Sequence, residues 1–144
     1  MKLQTDLVNR FKSADRRFDR FTENFTAFTM ALDYFADAQC PVRGVKITKS
    51  DDLHSFAVTY RTVTIDIRMF CELSASGTAT ARVICTLARP SFALERKVLG
   101  SFSFDLQGIT DHEVDEGDDP VGMDHMAPEI VLSFVQLALQ HRAA

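Results

Sequence analysis

From Leu7 onward, apolar residues recur at Phe11, Ala14, Phe18, Phe21, Phe25, Phe28, Leu32 and Phe35, in alternating steps of four and three. That is the period of one helix face. Lys12 with Asp15, Arg16 with Asp19 and Arg20 with Glu23 pair at a spacing of three on the opposite side, as a solvated helix surface does. The pattern predicts a helix over about 3–38, closed by Pro41, which removes a backbone donor and pushes Cys40 out of helical geometry. A helix of about 35 residues spans roughly 50 Å, whereas strands of about 8 to 10 residues reach roughly 27 to 34 Å. Either the helix breaks near Ser13 to Asp15, or its end overhangs the sheet and buries phenylalanines against a second subunit. The overhang is preferred, because six Phe on one stripe exceed what one small sheet face covers.

Beyond Pro41 the period becomes two. Val45 and Ile47 alternate with Lys46 and Thr48, Lys49-Ser50-Asp51-Asp52 supplies turn chemistry, and Phe56, Val58 and Tyr60 resume the alternation. Between Tyr60 and Val63 the apolar parity switches. Arg61-Thr62 contains no usual turn former, so the reading is a β-bulge inside one long bent strand. Val63, Ile65, Ile67, Met69 and Cys71 then share a side, and a Ser74-Ala75-Ser76-Gly77 turn returns the chain through Ala79, Ala81, Val83, Cys85 and Leu87. After Arg89-Pro90-Ser91, a last strand sets Val98, Gly100, Phe102, Phe104 and Leu106 on one buried face. A final helix starts around Pro128, with an apolar surface wide enough to suggest burial between layers or at an interface.

The fold class is therefore α+β: an antiparallel meander of four or five strands flanked by a long N-terminal and a C-terminal helix, with the sheet lying between them. The expected strands fall at about 43–49, 54–72, 78–88 and 94–106, an acidic loop at 111–125 and the last helix at about 128–142. At 144 residues, with 46% hydrophobic and 25% charged residues, the chain fits one self-sufficient domain.

Charge and chemistry refine this picture. Residues 1–100 hold 15 basic and 11 acidic groups, while 101–144 hold one basic and nine acidic. An acidic segment of that kind can pair with a basic surface, its own or a partner's. The candidate partner-binding residues are accordingly Arg10, Arg16, Arg17 and Arg20 on the first helix and Asp115, Glu116, Asp118 and Asp119 in the acidic loop. The loop fails both metal templates that it approaches. As an EF-hand begun at Asp111, it has Glu116 where the turn glycine belongs and Gly122 where the bidentate glutamate belongs. As a zinc motif, the run His112-Glu113-Val114-Asp115-Glu116 ends in glutamate instead of histidine.

No catalytic residue, metal ligand or cofactor is assigned. Cys71 and Cys85 read as small core hydrophobes and Cys40 as more exposed. A Cys40/His54/Asp52 cluster is the one conceivable nucleophilic arrangement, and His141 suits the end of a helix dipole. No glycine-rich phosphate cradle occurs. Nucleic acid is disfavoured because Asp15 and Asp19 interleave the basic cluster and the net charge is −4. Three widely spaced cysteines and the lack of a long apolar run suit a cytoplasmic protein without a membrane anchor.

Function is reached by elimination. The leading expectation is a non-enzymatic protein-interaction or adaptor module acting as a homodimer, with itself and another protein as partners. The alternative is a carrier of a small molecule or lipid, its apolar pocket lined by residues such as Ala79, Ala81 and Gly100. The third is an enzyme using carboxylates of the acidic loop.

Overall fold

The computed structural model describes residues 2–88, 97–111 and 122–142. Helix α1 runs unbroken over Thr5–Ala31 and tightens into a 3-10 turn over Leu32–Ala36. Five strands follow, β1 (Val45–Lys49), β2 (Ser55–Tyr60), β3 (Val63–Leu73), β4 (Ala79–Leu87) and β5 (Lys97–Phe104), and helix α2 (Ala127–Arg142) ends the chain. The strands form one sheet in sequence order, every neighbour antiparallel. This is the α+β meander that the two periodicities predicted.

The segment around Arg61 corrects the expected bulge. β2 and β3 are separate strands, paired from Ser55↔Arg68 to Tyr60↔Val63, with Arg61 and Thr62 as the hairpin loop between them. A two-residue loop makes Tyr60 and Val63 cross-strand partners on one face, so it shifts parity in sequence just as a bulge would. Parity alone could not separate the two. The turn is made by Arg61 at a φ of 57°, where a residue with a Cβ is strained by about 1–2 kcal/mol. Its guanidinium lies 5.8 Å from the centre of the Tyr60 ring, a favourable contact that partly offsets that strain.

A bulge does exist, but in β5. Cys85 pairs with Gly100 and Thr86 with Val98, which leaves Leu99 as the extra residue. Beyond it the alternation inverts, so Val98 faces solvent at 58% exposure and not the core. One irregularity was thus expected in the wrong strand.

Both helices pack on the same face of the sheet, not one on each side. The core parity of the strands carries Phe56, Val58, Ile65, Ile67, Met69, Val83, Cys85, Phe102 and Phe104. From α1, Phe21 meets Phe104 edge-on at 5.6 Å, and Phe28 lies 6.0 Å from both Phe56 and Phe102. From α2, Phe134 stacks on the same Phe102 at 6.2 Å. On the other face, Lys46, Thr48, Arg68, Phe70, Arg82 and Ser101 are exposed. The wide apolar surface of α2 therefore divides: Ile130, Val131, Phe134, Val135 and Ala138 are buried, and Leu137 and Leu139 point outward.

Small residues in β4 and β5 are filled from above. A Cβ on Gly100 would stand 2.9 Å from Phe134 Cε1, so the missing side chain is the seat of that ring. This packing disfavours the hollow pocket that a carrier needs at Gly100.

Cys40 also departs from expectation, being 1% exposed. After the 3-10 turn its amide donates to the Asp37 carbonyl, which folds the segment inward, and its thiol donates to the Val42 carbonyl at 3.3 Å. Cys85 is buried as expected, and Cys71 packs at the margin of the core.

Candidate functional site

The stripe along α1 meets the sheet over only part of its length. Phe21, Phe25, Phe28, Leu32 and Phe35 are buried, so sheet and α2 together absorb more of the phenylalanines than one sheet face would. Burial stops at Ala14. Further toward the N-terminus, Phe11 is 56% exposed, Leu7 44% and Leu3 66%. The helix does not break there, and its apolar face continues past its support.

Opposite that end lies the turn joining β3 to β4. Gly77 takes a φ of 84°, as a tight reversal requires. The turn is closed by Ser74 N–H donating to the Thr78 carbonyl at 2.9 Å and Thr78 N–H donating to Ser74 Oγ at 3.0 Å. Leu73, at the last position of β3, is 44% exposed. Leu7, Arg10 and Phe11 on one side, and Leu73 with Ser74, Ala75, Ser76 and Gly77 on the other, line a groove of about 360 Å³. Its lining mixes the apolar side chains of Leu7, Phe11, Leu73 and Ala75 with the hydroxyls of Ser74 and Ser76 and the Arg10 guanidinium.

The basic candidates do not form one patch. Successive helical residues turn by about 100°, which sets Arg10 and Arg17 on one flank of the stripe and Arg16 and Arg20 on the solvent side. Arg10 lines the groove. Arg16 is exposed and Arg17 half-buried. Arg20 is already engaged within the fold. Its Nη1 donates to Glu23 Oε2 at 3.1 Å and its Nε to the Leu106 carbonyl at 3.2 Å, where Asn24 Nδ2 joins it at 2.9 Å. The four acidic candidates, Asp115, Glu116, Asp118 and Asp119, lie outside the described residues. The chain on either side of that stretch is pinned together, since Ile109 bridges Gly122 and Met123 N–H donates to the Gly108 carbonyl.

The nucleophilic trio is not assembled. His54 Nε2 meets Thr22 Oγ1 at 3.3 Å. Because that hydroxyl donates to the Phe18 carbonyl, the imidazole is the donor in the contact. Asp52 Oδ1 accepts the backbone N–H of His54 and the hydroxyl of Ser55, and Oδ2 faces Arg68 Nη1 at 3.3 Å. The His54 amide above all holds the Asp52 carboxyl below the ordinary carboxylate range; desolvation opposes it, and Arg68 with the Ser55 and Ser50 hydroxyls adds smaller help. This network fastens the β1–β2 turn. Burial pushes the Cys85 thiol up to about 12 and raises that of Cys71, the reverse of what a reactive cysteine needs. Among the described residues, no three His, Cys, Asp or Glu side chains converge to hold a metal ion, and no helix is long and apolar enough to cross a membrane.

The exposed groove was legible in sequence only as surplus phenylalanine. The Ser74–Gly77 turn was legible as a turn, but that it and Leu73 would meet Leu7 and Phe11 was not, because the meeting depends on where the helix lies over the sheet. No family model matches this chain, and neither the curated proteins nor the solved structures contain a match to it.

Proposed function

We propose that this chain is a non-enzymatic protein-interaction module that works as a homodimer through the uncovered start of α1. The observation that carries the reading is the exposure of Leu7 and Phe11 at the start of α1 and of Leu3 just before it, each more than two-fifths exposed, while the stripe from Phe21 onward is buried. With Leu73 these side chains offer on the order of 400 Å² of apolar surface, within the range of a functional patch. A standard interface takes about 800 Å² from each partner, so polar groups around the groove would supply the remainder. Three free thiols, two of them buried, accord with a reducing compartment such as the cytoplasm.

Native mass spectrometry at micromolar concentration tests the proposal. The wild-type protein is expected as a dimer, and Phe11→Glu as a monomer with an unchanged far-ultraviolet circular dichroism spectrum, since Phe11 contributes little to the core. A wild-type protein that is monomeric at that concentration refutes it.

A further inference from the structure

The chemistry around the groove specifies how two copies would meet, an inference that rests on the homodimer reading. We infer that the α1 helices of two subunits pack antiparallel about a twofold axis passing near Val8 and Asn9, so that Leu7 faces Phe11 of the partner subunit and Asp6 faces Arg10 of the partner subunit.

Sequence positions and helix geometry lead to this arrangement. Leu7 and Phe11 are four apart on the apolar stripe, one above the other on the same face. Asp6 and Arg10 are likewise four apart, and at about 100° per residue both fall on the same flank of that stripe. Residues on equivalent flanks meet across an antiparallel helix pair. A twofold axis midway along this segment brings each leucine to a phenylalanine and each aspartate to an arginine, both contacts occurring twice by symmetry. A parallel pair would turn the Asp6/Arg10 flank toward the opposite flank of the partner helix, and the reciprocal aspartate–arginine contacts would be lost. In the single chain Asp6 and Arg10 are exposed, and neither takes part in an ion pair among the described residues. They are available to a partner.

The second helix would lie beside α1 along the groove, whose far wall is the turn of Ser74, Ala75, Ser76 and Gly77, and the small side chains of that turn limit the steric obstacle to its approach. Leu73, at the base of that wall, extends the apolar contact beyond the two helices themselves.

Charge reversal tests the pairing. Asp6→Arg alone and Arg10→Asp alone are each expected to weaken self-association by about tenfold, because two attractive contacts become two repulsive ones. Mixing the two single variants restores attraction at every contact, so native mass spectrometry should show the heterodimer in excess over either homodimer. The double variant D6R/R10D should self-associate like the wild type. If the wild type is dimeric and Phe11→Glu dissociates it, yet the mixture gives no excess of heterodimer, the antiparallel arrangement is overturned and the homodimer stands. A monomeric wild type overturns both.

Discussion

Replacing Gly100 with alanine tests whether the layer between sheet and α2 is solid. A new Cβ would stand 2.9 Å from Phe134 Cε1 and 3.6 Å from Cδ1. The ring cannot easily withdraw, being 2% exposed and stacked on Phe102 at 6.2 Å with an interplanar angle of 17°. Phe102 in turn rests against Phe28. Forcing an extra carbon into a packed core destabilises by about 1–3 kcal/mol. Alanine recovers about 0.5–1 kcal/mol by narrowing the unfolded ensemble, so the central expectation is a net loss of about 1 kcal/mol. With an m-value of about 2 kcal/mol/M, the urea midpoint falls by roughly 0.5 M. Phe134→Leu removes the atoms that clash, so Gly100→Ala should do less harm in that background, with a coupling of about 1 kcal/mol in the double-mutant cycle. An unchanged or higher midpoint for Gly100→Ala would refute the reasoning and revive the idea of a hollow beneath α2.

Two further outcomes follow from the polar groups. Asp52 is held below the ordinary carboxylate range in the fold, so its charge stabilises the protein above about pH 4 and that contribution fades as pH falls through the depressed native value. Asp52→Asn should therefore melt below the wild type at pH 7, with the gap narrowing progressively as pH falls below about 4; a gap independent of pH would dismiss the charge as a contributor. For the thiols, native protein at pH 8 should resist alkylation at Cys85, pushed up to about 12 by burial, and at the enclosed Cys40. Half-buried Cys71 should react first and slowly, and all three should label once unfolded in guanidinium. Prompt labelling of Cys85, read by peptide mass mapping, would contradict the burial on which this rests.

The sequence by itself determined the elements and their order, because each element's period is local. Steps of three and four wrote α1, alternation wrote the strands, and short turns forced each strand to lie beside the one before it. It also determined that α1 carried more apolar surface than a small sheet could use. What it left open depended on contacts between distant residues. Parity reads the same for a two-residue turn as for a bulge, so only pairing across space separated β2 from β3 at Arg61 and put the bulge at Leu99 in β5. Hydrophobic pattern marks a face as buried but not by which helix, and tertiary packing placed α1 and α2 together over Phe102. Cys40 looked exposed because it stands beside Pro41 in the connection after the helix, yet the turn after Ala36 carries it inward. The groove is the same kind of property: Leu7 and Phe11 lie more than sixty residues from Leu73 in the chain, and only the position of the helix over the sheet brings them to one place.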